Sequence, residues 1–178
     1  PDRVADTKIP DSMTLRDKIA FAELTDTGRV RDHNEDAIGS NPDIGLMVLA
    51  DGMGGYNAGE VASGIAVQIV STLAEDGSKR EERDTIDAHS GLMRQSIVLR
   101  DAVYRANKII YQTAQSQSHC EGMGTTIVAC MLYDNKVSIC HVGDSRAYRL
   151  RNDKFEQVTM DHSLLQELVD RGFYSEEE

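Results

Sequence analysis

The chain has 178 residues, 40% of them hydrophobic, with 30 acidic against 19 basic side chains and a net charge of −11. That length supports one sizeable core, and the acidic balance argues against nucleic acid or an anionic membrane as main partners. No apolar stretch approaches 18 residues, no segment reads as a signal peptide, and Cys120, Cys130 and Cys140 form no Cys-x-x-Cys pair. Free thiols in a reducing compartment, and so a cytoplasmic location, are the expectation.

Residues 1–18 are polar, contain Pro1 and Pro10, and read as a poorly ordered extension in which Met13 is a candidate natural start. The folded domain is expected over 19–178, opening with a strand over 19–25. A polar segment follows, Arg31-Asp-His-Asn-Glu-Asp36. Carboxylates such as Glu35 and Asp36, if gathered near one point, repel each other unless a cation sits among them. An arginine in the same segment, Arg31, supplies a planar fork that suits phosphate oxygens. Taken alone, the run reads more readily as a solvated loop.

A short strand is expected over 37–39 and a buried one over 44–50, the latter delivering Asp51 to a strand end. Gly52, Gly54 and Gly55 follow at once. Such clustering suggests tight turning or close backbone approach to a ligand. A carboxylate beside bare carbonyls suits a hard cation. A phosphate-cradling P-loop would need Gly-Lys-Ser/Thr, yet no lysine lies between residues 19 and 78; a dinucleotide loop would need Gly where Asn57 stands. A plain strand-to-helix turn with a surface aspartate is the other reading.

A helix is expected over 59–74, with Val61, Ala62, Ile65, Ala66, Ile69, Val70 and Leu73 at helical spacing. The charged stretch 76–90 reads as a solvated connection. A second helix is expected over 92–115, with Leu99, Val103, Ala106 and Ile110 on one face. Strands over 125–133 and 137–142 form a hairpin across Asp134-Asn-Lys136. A third aspartate, Asp144, follows in His141-Val-Gly-Asp-Ser-Arg146; alone, this is a charged hairpin turn. Residues 147–151 pair with 155–158 across Asn152-Asp153. Strands in hairpins with segregated helices suggest α+β layering.

Leu164, Leu165, Leu168 and Val169 make a helical stripe closed by Gly172 as a C-cap. Ser175 with Glu176, Glu177 and Glu178 reads as the N-cap and acidic first turn of a helix without a body, which suggests a cut chain. Asp161 to Ser163 fit helix N-capping. His141 reads as a hydrogen-bonded core histidine. His33 is a weak candidate for substrate contact, and His89, His119 and His162 lack ligand spacing.

Four motifs stand here in order: Arg31-Asp-His-Asn-Glu-Asp36, Asp51-Gly-Met-Gly-Gly55 with Ala58-Gly-Glu-Val-Ala-Ser63, Gly122-Met-Gly-Thr-Thr126, and Gly143-Asp-Ser-Arg146. Together they resemble the metal-dependent protein phosphatases, the type 2C serine/threonine group, in its bacterial form. The likeness runs from about residue 19 to 172. It implies an αββα sandwich, two packed antiparallel sheets flanked by helices. It also implies that Asp51 bridges two Mn2+ or Mg2+ ions and that the Gly52 carbonyl binds one of them. Glu35 and Asp36 would hold the ions largely through water, Asp144 a third, looser ion, and Arg31 the substrate phosphate.

The reaction so implied is hydrolysis of phosphoserine or phosphothreonine by a metal-bridging water, without a covalent phosphoenzyme. Phosphorylated proteins would be the partners, a bacterial Ser/Thr kinase among them. Two departures matter. Met53 stands where eukaryotic members often carry a histidine, and methionine donates no proton. The later Ser-Asp-Gly and Asp-Asn segments, which complete the primary metal site in the family, are absent from these 178 residues. The catalytic domain is therefore expected to lack its C-terminal part and to expose a sheet edge prone to self-association. The alternative function is a catalytically incomplete fragment or pseudophosphatase that binds phosphoproteins.

Overall fold

The computed structural model describes residue 15 and residues 17–55, 58–79 and 85–162. In chain order it forms β1 (Asp36–Asn41), β2 (Leu46–Met53), α1 (Ala58–Ser78), α2 (Arg94–Ser116), β3 (Gly124–Thr125), β4 (Ile127–Tyr133), β5 (Lys136–Val142), β6 (Tyr148–Arg151) and β7 (Lys154–Gln157). A 3-10 turn at Ser118–Cys120 joins α2 to β3. The larger sheet runs β1-β2-β4-β5 with β3 added to the far end of β2, and β6-β7 form a second sheet; every pairing is antiparallel. The α+β architecture expected from the hairpins is the one observed.

Period-2 alternation sorts β2 into two faces. Leu46, Val48, Ala50 and Gly52 are buried, whereas Leu49, Asp51 and Met53 are exposed. The buried face lies under α1, which turns Ala58, Ala62, Ala66, Val70 and Ala74 inward. Small side chains let that helix approach the sheet closely. Helix α2 packs beside α1 and reaches β4 and β5, burying Leu99, Ala102, Val103, Ala106 and Ile110. The buried Ser138 hydroxyl is paired, its Oγ 2.7 Å from Ser96 Oγ and 2.8 Å from the Tyr133 hydroxyl, whereas the buried Gln95 amide on α2 has no hydrogen-bond partner among the described residues.

The hairpin turns follow from residues that tolerate left-handed backbone. Asp134 has φ +51°, and Asn152 and Asp153 have φ +51° and +61°, the geometry of primed two-residue turns. The β6–β7 hairpin is tied to the larger sheet by loop contacts. His141 Nε2 meets the Met160 carbonyl at 2.7 Å, and the His162 N–H donates to the Gly143 carbonyl at 2.9 Å. The hydrogen bond expected of His141 is present, although the ring is only half-buried and stacks on His162 at 4.6 Å.

Several boundaries differ from the sequence reading. Residues 19–25 form no strand; Phe21 to Leu24 instead run beside the outer face of the sheet, bounding a cleft of about 240 Å³ with Ile38, Met47, Leu49, Val128 and Cys130. Phe21 is half-buried there while Leu24 is 90% exposed, so the segment borders the sheet without joining its ladder. Helix α1 continues to Ser78, four residues past the expected end and into the stretch read as a connection. The expected helix around 164–172 and the acidic end at 175–178 lie outside the described residues, as do most of residues 1–18. Among the described residues no helix is long and apolar enough to cross a membrane.

Leu46 has no exposed surface, while Leu49, three residues on, points outward and is 42% exposed. Leu46→Ala is expected to cost about 2–5 kcal/mol in urea denaturation through lost burial plus a cavity. Leu49→Ala should cost less than about 1 kcal/mol.

Candidate metal centre

The centre is built on the β1–β2 register. Asp36 pairs with Asp51 across the two strands, so both side chains leave the same face, directly opposed. Like charges in that position repel. The Asp51 carboxyl accordingly holds its proton above the ordinary aspartate range. Partial burial is the largest cause, followed by the charge and hydrogen bond of Asp36, then the charges of Asp144 and Glu35. Four acidic residues from β1, β2, the loop before β1 and the turn after β5 thus act on one point.

Asp51 does not stand at a strand end. Strand β2 runs on to Met53 because β3 pairs with it, Gly52 opposite Thr125 and Met53 opposite Gly124. The backbone around Asp51 is fully engaged. Its N–H donates to Thr126 Oγ1 at 3.0 Å, and its carbonyl accepts from the Thr126 N–H at 2.9 Å and from Thr125 Oγ1 at 2.9 Å.

Gly52 is buried, and its N–H donates to the Glu35 carbonyl at 3.1 Å. A Cβ at this position would run into the Gly59 carbonyl and would lie 2.6 Å from the Glu35 carbonyl oxygen. Close approach of β2, the Glu35 backbone and the start of α1 therefore demands glycine. The same Glu35 carbonyl accepts from Ser63 Oγ at 2.6 Å. The Glu35 carboxylate stands over Gly59 in the first turn of α1, where the helix dipole favours negative charge.

Asp144 sits in the turn that leaves β5, exposed, between Gly143 (φ +99°) and Ser145. Arg31 is exposed on the loop ahead of β1 and has no hydrogen-bond or ion-pair partner among the described residues. The structure therefore brings Glu35, Asp36, Asp51 and Asp144 into one electrostatic group with Gly52 beside them, and leaves Arg31 separate. His33 is exposed on the same loop.

Sequence reading missed the residues that hold this group: Ser63, Thr125, Thr126 and Ser145. Their signal was faint, hydroxyls next to glycines and aspartates within the motifs. Asp161 has a partner that sequence reading did not name. Arg146 grips its carboxylate through Nε at 2.9 Å and Nη2 at 2.6 Å, holding it below the usual carboxylate range. The helix that Asp161 was to cap lies outside the described residues.

The donor chemistry fits a hard divalent cation, since every candidate ligand is a carboxylate or carbonyl oxygen. The group is open: among the described residues, no three His, Cys, Asp or Glu side chains stand close enough to form a ready-made cage. Mutual repulsion keeps bare carboxylates apart, and a site completed through water needs no closed cage.

Fold and centre together define an α+β domain with an open acidic cluster at one end of its larger sheet. The family model described as Protein phosphatase 2C matches residues 28–176, and the chain belongs to that family. It is 40% identical over 157 residues to a serine/threonine phosphatase stp of Listeria innocua serovar 6a, covering 86% of this chain and 59% of the relative. Its structure is similar to that of Stp1 from Staphylococcus aureus, with TM-score 0.70, 38% identity and coverage of 87% and 58%. It is also similar to the catalytic domain of PstP in complex with two manganese ions, with TM-score 0.67, 35% identity and coverage of 84% and 59%. The chain thus spans a little under three fifths of the length of these relatives.

The raised Asp51 pKa has a defined consequence for stability. Above the ordinary aspartate range the folded state binds more protons at Asp51 than the unfolded state, so this group's contribution falls as pH rises through that window. Asp51→Asn removes the dependence. In chelator, the stability of Asp51→Asn relative to the native chain should therefore increase from about pH 4 to about pH 7, measured by urea denaturation at each pH.

Proposed function

We propose that the chain carries the core of a protein serine/threonine phosphatase that hydrolyses phosphoserine and phosphothreonine in proteins. The observation that carries this reading is the facing Asp36–Asp51 pair, with Glu35 and Asp144 acting on the same carboxyl. A cluster of that charge calls for cations, and a similar structure holds two manganese ions.

In this reading Asp51, the Gly52 carbonyl, Glu35 and Asp36 would hold two Mn2+ or Mg2+ ions, the last two through water, and Asp144 would hold a third. Bound there, the ions would supply an activated water and neutralise charge on the phosphoryl group. Arg31, on an exposed loop and without a partner among the described residues, would offer its guanidinium fork to the phosphoryl oxygens and orient phosphorus. The β1–β2–β3 ladder keeps the carboxylates in place while charge develops, which limits reorganisation. Phosphorylated proteins are the partners, including the Ser/Thr kinase whose products the enzyme reverses, and the setting is the bacterial cytoplasm.

The openness of the acidic cluster favours one second reading, a module that binds phosphoproteins without turnover. Hydrolysis of a phosphothreonine peptide with Mn2+ and with chelator separates the two. Metal-dependent turnover is expected, with Asp51→Asn lowering it by about 10²-fold or more. Arg31→Ala should lower kcat/KM by about 10- to 100-fold, the loss of a charge-assisted contact to phosphate. Peptide binding by a folded chain with no turnover would establish the binding module instead.

A further inference from the structure

Asp51 and Asp144 lie on different elements, 93 positions apart in the chain, yet a single side chain stands between their backbones. Thr126 occupies the break between β3 and β4. Its Oγ1 accepts the Asp51 N–H at 3.0 Å and lies 2.7 Å from Ser145 Oγ. Its own N–H donates to the Asp51 carbonyl at 2.9 Å. Its methyl end presses on Gly143, where an added Cβ would stand 2.7 Å from Thr126 Cγ2 and 2.9 Å from Cβ. Both peptide groups of Asp51 are thus clasped by one threonine, and the same threonine touches the residues on either side of Asp144.

A hydroxyl can accept the Asp51 N–H with one lone pair and still donate to, or accept from, Ser145. Both polar links run through the hydroxyl, while the methyl only fills the space against Gly143. Valine keeps the shape and loses the hydroxyl; serine keeps the hydroxyl and loses the methyl. Partners that orient ligands in this way set metal affinity without touching the metal.

We propose that Thr126, acting with Ser145, is a positioning residue that fixes the Asp144 turn against the Asp51 strand and so sets divalent-cation affinity. The inference rests on the metal-centre reading above. A merely structural threonine would change thermal stability and leave the affinity of the folded protein unchanged.

The test is Mn2+ titration calorimetry on the native chain, Asp51→Asn, Thr126→Val, Thr126→Ser and Ser145→Ala, each confirmed folded by circular dichroism. Amide exchange of Asp51 in chelator is followed in parallel. Thr126→Val should weaken Mn2+ binding by about 10- to 100-fold and speed Asp51 amide exchange, while Thr126→Ser keeps native values for both. Native Mn2+ affinity in folded Thr126→Val would overturn the proposal. If Thr126→Val does not fold, Ser145→Ala carries the test, since it cuts the link to the Asp144 turn and spares the bonds to Asp51; native affinity there would overturn it equally. A native chain that binds no Mn2+ would instead overturn the metal-centre reading, and this inference with it.

Discussion

Two carboxylates placed opposite each other on neighbouring strands are the constraint around which the rest of this structure is arranged. The β1–β2 register puts Asp36 across from Asp51, an arrangement that a sheet selected for stability alone would avoid. Register cannot slip to relieve it. A shift by one residue would turn Leu46, Val48 and Ala50 away from α1 and expose the core face. The hydrophobic pattern of β2 therefore holds the charges together, and partial burial first, with the charge of Asp36 next, raises the Asp51 pKa. Strain of this kind at a site is offset by burial elsewhere.

The surroundings show how that register is enforced locally. Strand β3 contributes only Gly124 and Thr125, yet its pairing carries β2 past Asp51 to Met53 and keeps the aspartate inside a ladder. On the other side, the Glu35 carbonyl ties together the Gly52 N–H and the Ser63 hydroxyl, joining the pre-β1 loop, β2 and α1 at one oxygen. Helix α1 can begin this close only because Gly52 and Gly59 lack side chains. The glycines therefore act mainly as clearance between backbone segments. The acidic side chains are then presented outward from a backbone that has little freedom left.

Much of this was legible in the sequence. The 3.6-residue spacing in α1 and α2 is a local signal that burial largely bears out, although Val61 and Leu73 of α1 are exposed. In β5 the apolar alternation misleads: the buried residue is Ser138, while Val137 is 48% exposed. The Asn152-Asp153 and Asp134 turns follow from residues that accept left-handed backbone. Asp51 and the glycines announced a constrained site because both the strand and the cluster are contiguous in the chain. What was not legible depends on partners far away in sequence. Nothing local says that Gly52 and Met53 continue a strand, because their partners are Thr125 and Gly124 and glycine is a poor strand former. The same holds for Asp161, whose carboxylate is gripped by Arg146, 15 positions earlier in the chain. Residues 19–25 show the converse failure: a segment with strand-like composition runs beside the sheet unpaired, with Leu24 90% exposed, and composition alone does not distinguish the two outcomes.

Met53 shows how far the centre relies on its framework. It extends outward from β2, 66% exposed, and its side chain lies over Gly124, where an added Cβ would meet Met53 Cε at 3.3 Å. It packs on the strand that prolongs β2, and it has no proton to give. In the proposed reaction, any proton for the departing alcohol would therefore come from another source than this loop position. The side chains that surround Asp51 are acids that share negative charge, and the hydroxyls of Thr125, Thr126 and Ser145 are committed to one another and to the Asp51 backbone. Such a site has its protein groups spent on holding and orienting, which leaves proton and charge traffic to whatever the carboxylates bind. That division of labour suits a centre whose reactivity arrives with its cations and whose sequence is conspicuous mainly for the residues that keep the carboxylates in register.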